Sequence, residues 1–186
     1  MSSIAMQGGA TGSGTVTLLA PVTNTNRTIN LPDSNGTVLT TATAGVPVNG
    51  PAFSAYNNAT QSISSGTFVK ILFQTEEFDT NSNFASSTFT PTVAGYYQVT
   101  GCASIAAAGA TLFITSIYKN GAEYKRGNDF RGVTLSQAQQ FNTALVYCNG
   151  STDYIDIYGY NSGVTPVVGS GSAVTYFQAA LVRSAT

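Results

Sequence analysis

Histidine and tryptophan are absent from the 186 residues, and charge is scarce: seven Lys and Arg stand against eight Asp and Glu, 8% of the chain. The lack of His removes the commonest general base, the usual metal ligand and the familiar nucleophile–imidazole pairings. So balanced and thin a charge creates no field that would gather nucleic acid or an anionic membrane. The two cysteines, Cys102 and Cys148, are far apart and both sit in strand-like runs, which fits neither a zinc cluster nor a closely spaced redox pair. Two buried thiols and a cross-strand disulfide both remain open. No stretch approaches the ~20 consecutive apolar residues of a membrane helix, and "MSSIAMQGGATGSG" lacks the basic flank and apolar centre of a secretion signal. Synthesis and assembly in a cytoplasm are expected. "GGATGSG" lacks the Lys and following helix of a phosphate loop and reads as a leader.

What is present is apolar and aromatic: 42% hydrophobic residues, with ten Tyr and ten Phe, is too much for a solvated coil. The length suits one compact domain plus a modest extension. No window sustains helical spacing, whereas Thr, Val, Ile, Tyr and Phe recur with period two between Gly, Asn, Ser and Pro punctuation, so the chain reads as all-β. Residues 1–50 read as an N-terminal arm of short strands ending in the small-residue linker "TATAGVPVNGPA", and residues 51–186 as the domain. In the domain, eight candidate strands follow at sandwich spacing: "AFSAYN", "TFVKILFQ", "FASSTFTP", "GYYQVTGCASIA", "ATLFITSIYKNG", "QAQQFNTALVYCNG", "DYIDIYGYN" and "AVTYFQAALVR".

Three stretches are candidates for function. In "DYIDIYGY", Ile155 and Ile157 share one face, and Tyr154, Asp156, Tyr158 and Tyr160 the other. A tyrosine row is either a solvent-tolerant surface or a contact between subunits; Tyr154, Tyr158, Tyr160 and Tyr176 are the interface candidates. "KNGAEYKRGNDFRG" gathers much of the charge around an Asn120-Gly121 hairpin signal. It either protects a sheet edge or contacts a subunit or receptor through Arg126 and Arg131, whose planar guanidinium groups match carboxylates. Glu76, Glu77 and Asp79 in "QTEEFD" could suggest a glycosidase carboxylate pair, but successive strand residues face opposite ways, so a solvated strand-end loop is expected.

In sequence order, "FSAY", "ILFQTEEFDT", "STFTPTVAGYYQVTG", "IYKNG", "STDYIDIYG" and "TYFQAALV" resemble the globular heads of the first complement component, within the tumour-necrosis-factor-like family. The resemblance spans residues 52–184, and its most specific block places Phe89, Pro91, Gly95, Tyr96 and Tyr97 at the family's aromatic, Pro, Gly and aromatic positions; Phe177 marks the last strand. It implies a ten-strand jelly-roll sandwich assembling as a compact homotrimer. Where many members carry Gly-Asp this chain has "GSTD", with no calcium cluster after it, so no metal or cofactor is expected. Phe89 is expected to face the core, Pro91 to stop pairing, Gly95 to permit the turn, and Tyr97 to begin the next alternation.

The arm sequence "GTVTLLAPVTNTNRTINLPDSNGTVLTT" is similar to segments of bacteriophage fibre and virion-surface proteins. Together these resemblances imply a non-enzymatic virion-surface protein, assembled in the host cytoplasm and holding the major capsid or another virion protein through residues 1–50. Capsid decoration (cement) is favoured over a short tail-fibre or head-fibre tip, because fifty residues of short strands supply little shaft. A fibre tip, or a carbohydrate-binding module, would instead meet host-surface glycan through faces such as "YGYNSG". No nucleic acid and no membrane insertion are expected.

Overall fold

The computed structural model describes residues 50–163 and 167–185, all within the compact unit Leu39–Thr186. The expected arm lies outside the described residues apart from Gly50. The described residues contain no helix and form twelve strands: β1 (Ala52–Tyr56), β2 (Gln61–Ser62), β3 (Phe68–Lys70), β4 (Thr75–Asp79), β5 (Phe84–Ala85), β6 (Thr88–Phe89), β7 (Gly95–Lys119), β8 (Ala122–Arg126), β9 (Phe130–Cys148), β10 (Ile155–Ser162), β11 (Val167–Val168) and β12 (Tyr176–Ser184). Every strand pairing is antiparallel. The count departs from ten because the two-residue strands β2, β5, β6 and β11 stand apart, while β7 runs unbroken where two separate strands were expected and β9 begins earlier than the single strand expected there.

The strands make a two-layer sandwich, and β7 belongs to both layers. Its first part pairs with β12 (Tyr176↔Cys102 to Ser184↔Gly95) and with the second part of β9 (Gly95↔Cys148 to Ala106↔Gln137). With β1 and β4 this gives a first layer ordered β4-β1-β12-β7-β9. Register shifts between Ala106 and Leu112 bend the strand, and its last part pairs with β10 and β8 in the second layer. Irregularities of this kind let one strand turn a corner without ending. β3 and β6 complete that layer on β10.

The core follows from alternation. Tyr97, Val99 and Ala103 on β7, Phe177 and Ala179 on β12, and Ile155 and Ile157 on β10 all point inward and are buried. Phe53 lies at the centre, stacked on Phe84 and Phe89 at 4.7 and 4.6 Å and edge-on to Phe177 at 4.8 Å. Gly101 leaves room for the opposite layer, since a Cβ there would strike the Ile157 side chain.

The stretch "STFTPTVAGYYQVTG" is architectural. Ser86 and Ser87 both have positive φ (51° and 61°), closing the β5–β6 hairpin without glycine. Ser87 is held there by its hydroxyl, which accepts the Phe73 N–H at 2.8 Å and is also within reach of the Phe73 carbonyl at 3.3 Å. Phe89 is buried against Tyr97, and the Tyr97 hydroxyl donates to the Val93 carbonyl at 2.6 Å, tying the connection to β7. Gly95 serves close approach rather than a turn: its φ is not in the left-handed region, but a Cβ would sit 2.5 Å from the Arg183 carbonyl oxygen. The Asn120-Gly121 hairpin forms as expected, with both residues at positive φ (54° and 79°). "TEEFD" is not a loop: it forms β4, the edge strand beside β1, across a register shift between Ser54 and Ala55.

Candidate functional site: the outward face of the first layer

The pairing that buries one side of the first layer sets the other side outward. Along β7, Tyr96, Gln98, Thr100, Cys102 and Ser104 face out, opposite Tyr147, Leu145, Thr143, Phe141 and Gln139 of β9. β12 adds Tyr176, Gln178 and Ala180 to the same rows, and β1 adds Tyr56, Ser54 and Ala52. None of these positions carries a charge.

This face is unusually apolar for a surface. Phe141 is 61% exposed, Leu145 53%, Val182 51% and Phe78, on β4, 52%, with Tyr96 and Tyr147 at 41% each. Six large side chains so exposed present apolar area on the order of several hundred Å², the scale at which a contiguous patch marks an association surface. Tyr96 and Tyr147 pair at 5.4 Å, and with Leu145, Val182 and Arg183 they line a groove of about 750 Å³ at one end of the face. Lys119 rims it, 5.7 Å from the Tyr147 ring and ion-paired to Asp153 at 2.9 Å.

Between the apolar rows runs a polar one. The Thr143 hydroxyl donates to the Val99 carbonyl (3.0 Å), receives the Gln98 carboxamide (2.7 Å) and lies 3.1 Å from the Thr100 hydroxyl. Gln178 pairs in register with Thr100. Cys102 is covered by Tyr176 and Gln139, whose carboxamide donates to its sulfur at 3.2 Å. Both cysteines are free, which settles the open alternative against a disulfide. Burial raises the Cys102 thiol above its usual range and pushes Cys148 up to about 11, so both stay protonated near neutrality and neither is a ready nucleophile. Burial also holds the Tyr97 phenol far above its ordinary range.

The four tyrosines singled out in the sequence do not share one surface. Tyr158 and Tyr160 lie on the second layer, half-buried: Tyr158 stacks on Tyr118 at 4.0 Å, and Tyr160 packs on Phe68 at 5.1 Å. Tyr154 precedes β10, its N–H held by Asn120 at 2.9 Å. Only Tyr176 stands on the first-layer face. Asp156, grouped with these tyrosines by alternation, is buried and paired to Lys70 at 2.8 Å, with the Thr88 hydroxyl donating to it. Arg126 is engaged within the chain, bidentate to Glu123 at 2.8 and 2.7 Å and set over the Phe68 ring; Arg131 is held by Asp129 at 2.6 Å. Among the described residues, no three acidic or cysteine side chains gather as metal ligands would.

Sequence reasoning missed Tyr96, Phe141, Leu145, Tyr147 and Val182. A signal existed in "QFNTALVYC": Phe141, Leu145 and Tyr147 alternate with Ala144, Val146 and Cys148, so both faces of that strand are apolar.

No family model matches the chain, and no curated protein matches it in sequence. Among solved structures, it is similar to the globular domain of zebrafish complement 1qA protein, at 17% identity and a TM-score of 0.53, covering 74% of this chain and 100% of that one. It is also similar to the Eiger TNF of S. frugiperda (8% identity, TM-score 0.59, 74% and 96% covered) and to murine APRIL (7%, 0.54, 71% and 98%). At these identities the likeness is one of fold: the chain shares the jelly roll of these complement-head and tumour-necrosis-factor structures.

Proposed function

We propose that this protein is a non-enzymatic structural component of a bacteriophage virion surface, assembled in the host cytoplasm as a homotrimer through the outward face of the first layer. The observation that carries the assembly reading is that face itself: Phe141, Leu145, Val182, Tyr96 and Tyr147 are exposed together, with charge confined to Arg183 and Lys119 at the groove end. A face whose middle is uncharged and rich in carboxamide and hydroxyl groups favours a copy of itself over a charged partner. The virion reading rests on the arm sequence, and it makes residues 1–50 the attachment to a capsid protein, with capsid decoration preferred to a fibre tip. The missing imidazole and the protonated thiols support a non-enzymatic role.

Light scattering on the full chain is expected to give three times the mass of one chain at micromolar concentration; a single-chain mass sinks the trimer. Removing residues 1–50 is expected to leave the trimer and abolish attachment to particles. Cryo-microscopy of particles is expected to place density regularly over the shell; density confined to a tail or one vertex would replace decoration with the fibre-tip reading, and saturable binding on a glycan array would add the receptor role.

A further inference from the structure

Association surfaces pair hydrogen-bonding groups as well as apolar ones, and here Gln98, Thr100, Thr143 and Gln178 cross the face between its apolar rows. Thr143 is saturated within the chain, giving its proton to Val99 and receiving the Gln98 carboxamide and the Thr100 hydroxyl. Gln98 keeps its carboxamide oxygen and one N–H, Thr100 keeps acceptor capacity, and Gln178 lies exposed beside them.

We infer that Gln98, Thr100 and Gln178 form a register key between copies of this chain. The inference rests on the trimer reading. When neighbouring copies cover the flanking aromatic rows, these groups lose water and must find partners across the interface, because burying an amide without a hydrogen-bond partner is unfavourable. A carboxamide both donates and accepts, so the groups that three copies bring together around a three-fold axis can satisfy one another only at one offset. The aromatic rows grip; the polar row rejects slipped or extra copies, as a single buried Asn does in a coiled coil.

The test replaces Gln98 and Gln178 by Leu in the full chain. Native mass spectrometry is expected to show loss of the single mass in favour of mixed assemblies; a single trimer mass unchanged from the parent overturns the key while leaving the trimer standing. A parent chain of single-chain mass overturns both. In parallel, Gln98→Glu with Gln178→Glu keeps the shape and adds charge, and is expected to raise the concentration for half-assembly at least about tenfold; an unchanged value overturns the key. A measurement on the parent chain guards against misfolded variants: the carboxamide protons of Gln98 and Gln178 are expected to exchange with solvent at least about tenfold more slowly in the assembly than those of exposed Gln74. Equal exchange overturns the inference.

Discussion

The two layers of the sandwich treat their outward aromatic side chains in opposite ways. On the second layer, Phe68, Tyr118, Tyr158 and Tyr160 pack on one another, Arg126 lies over Phe68, and Lys70 and Asp156 close an ion pair beneath them. On the first layer, Phe141, Leu145 and Val182 stand in solvent with more than half their surface open. One face has completed its contacts within the chain and the other has not. Aromatic content alone therefore says little about association; whether each ring already has a neighbour decides it.

That contrast can be broken from either side. The largest effect is expected from Leu145→Asp, which sets a charge among the exposed apolar side chains of the open face: the assembly should dissociate with the fold intact, read by sedimentation and circular dichroism. The matching change on the closed face, Tyr158→Asp, should leave the assembly mass unchanged and lower thermal stability instead; dissociation without a stability loss would reverse the assignment of the two faces. Asp156→Ala, which strips Lys70 of its partner in a half-buried site, is expected to cost about 2 kcal/mol in denaturant unfolding with no change in assembly. Removing the Tyr158 ring by Tyr158→Ala forfeits the stack on Tyr118, about 1 kcal/mol beyond the lost area. The smallest effect belongs to Arg126→Ala, an exposed pair with Glu123, expected to leave the denaturant midpoint close to the parent's, with any difference screened by salt.

Acid sharpens the same comparison. Hydrogen bonding from Arg126 holds Glu123 below its ordinary 4.5. Burial pushes Asp153 up, but hydrogen bonds from Asn120, Lys119 and the Asn149 backbone outweigh it and bring it below its ordinary 3.8. A carboxylate depressed in the folded state contributes stability above its unfolded value and loses it as pH falls through the folded one. Unfolding stability should thus decline as pH drops below 4.5 and further below 3.8, and Asp153→Asn should flatten the lower part of that decline.

Much of the fold was legible because its cues are local. The period-two alternation of Ile155 and Ile157, the Asn120-Gly121 turn and the Phe89–Pro91–Tyr97 corner each act within a few residues, and each appears where expected. What was hidden depends on partners distant in sequence. β4 was expected to be a strand-end loop, yet it is held as an edge strand by β1, with Ser54 donating to Glu77 at 2.6 Å. Gly95 looked like a turn residue, but its need for glycine comes from Arg183 across the sheet. The tyrosines of β10 were visible as a row, while Phe68 and Tyr118, which cover them, come from strands far away in the chain. The open face escaped for the complementary reason: a strand apolar on both sides looks like buried core, and only the register with β7 and β12 reveals that one side has nothing over it.

The position of β12 has a consequence for the order in which the molecule can be made. This strand lies between β1 and β7, pairing Ala52 with Ala180 on one side and Val99 with Ala179 on the other. On the ribosome, β1 and β7 therefore emerge with a gap between them that only a much later segment fills. Until then Phe53 lacks Phe177, the ring that meets it edge-on. The open outward face, to which β12 contributes Tyr176, Gln178 and Ala180, is likewise incomplete until that last strand is made.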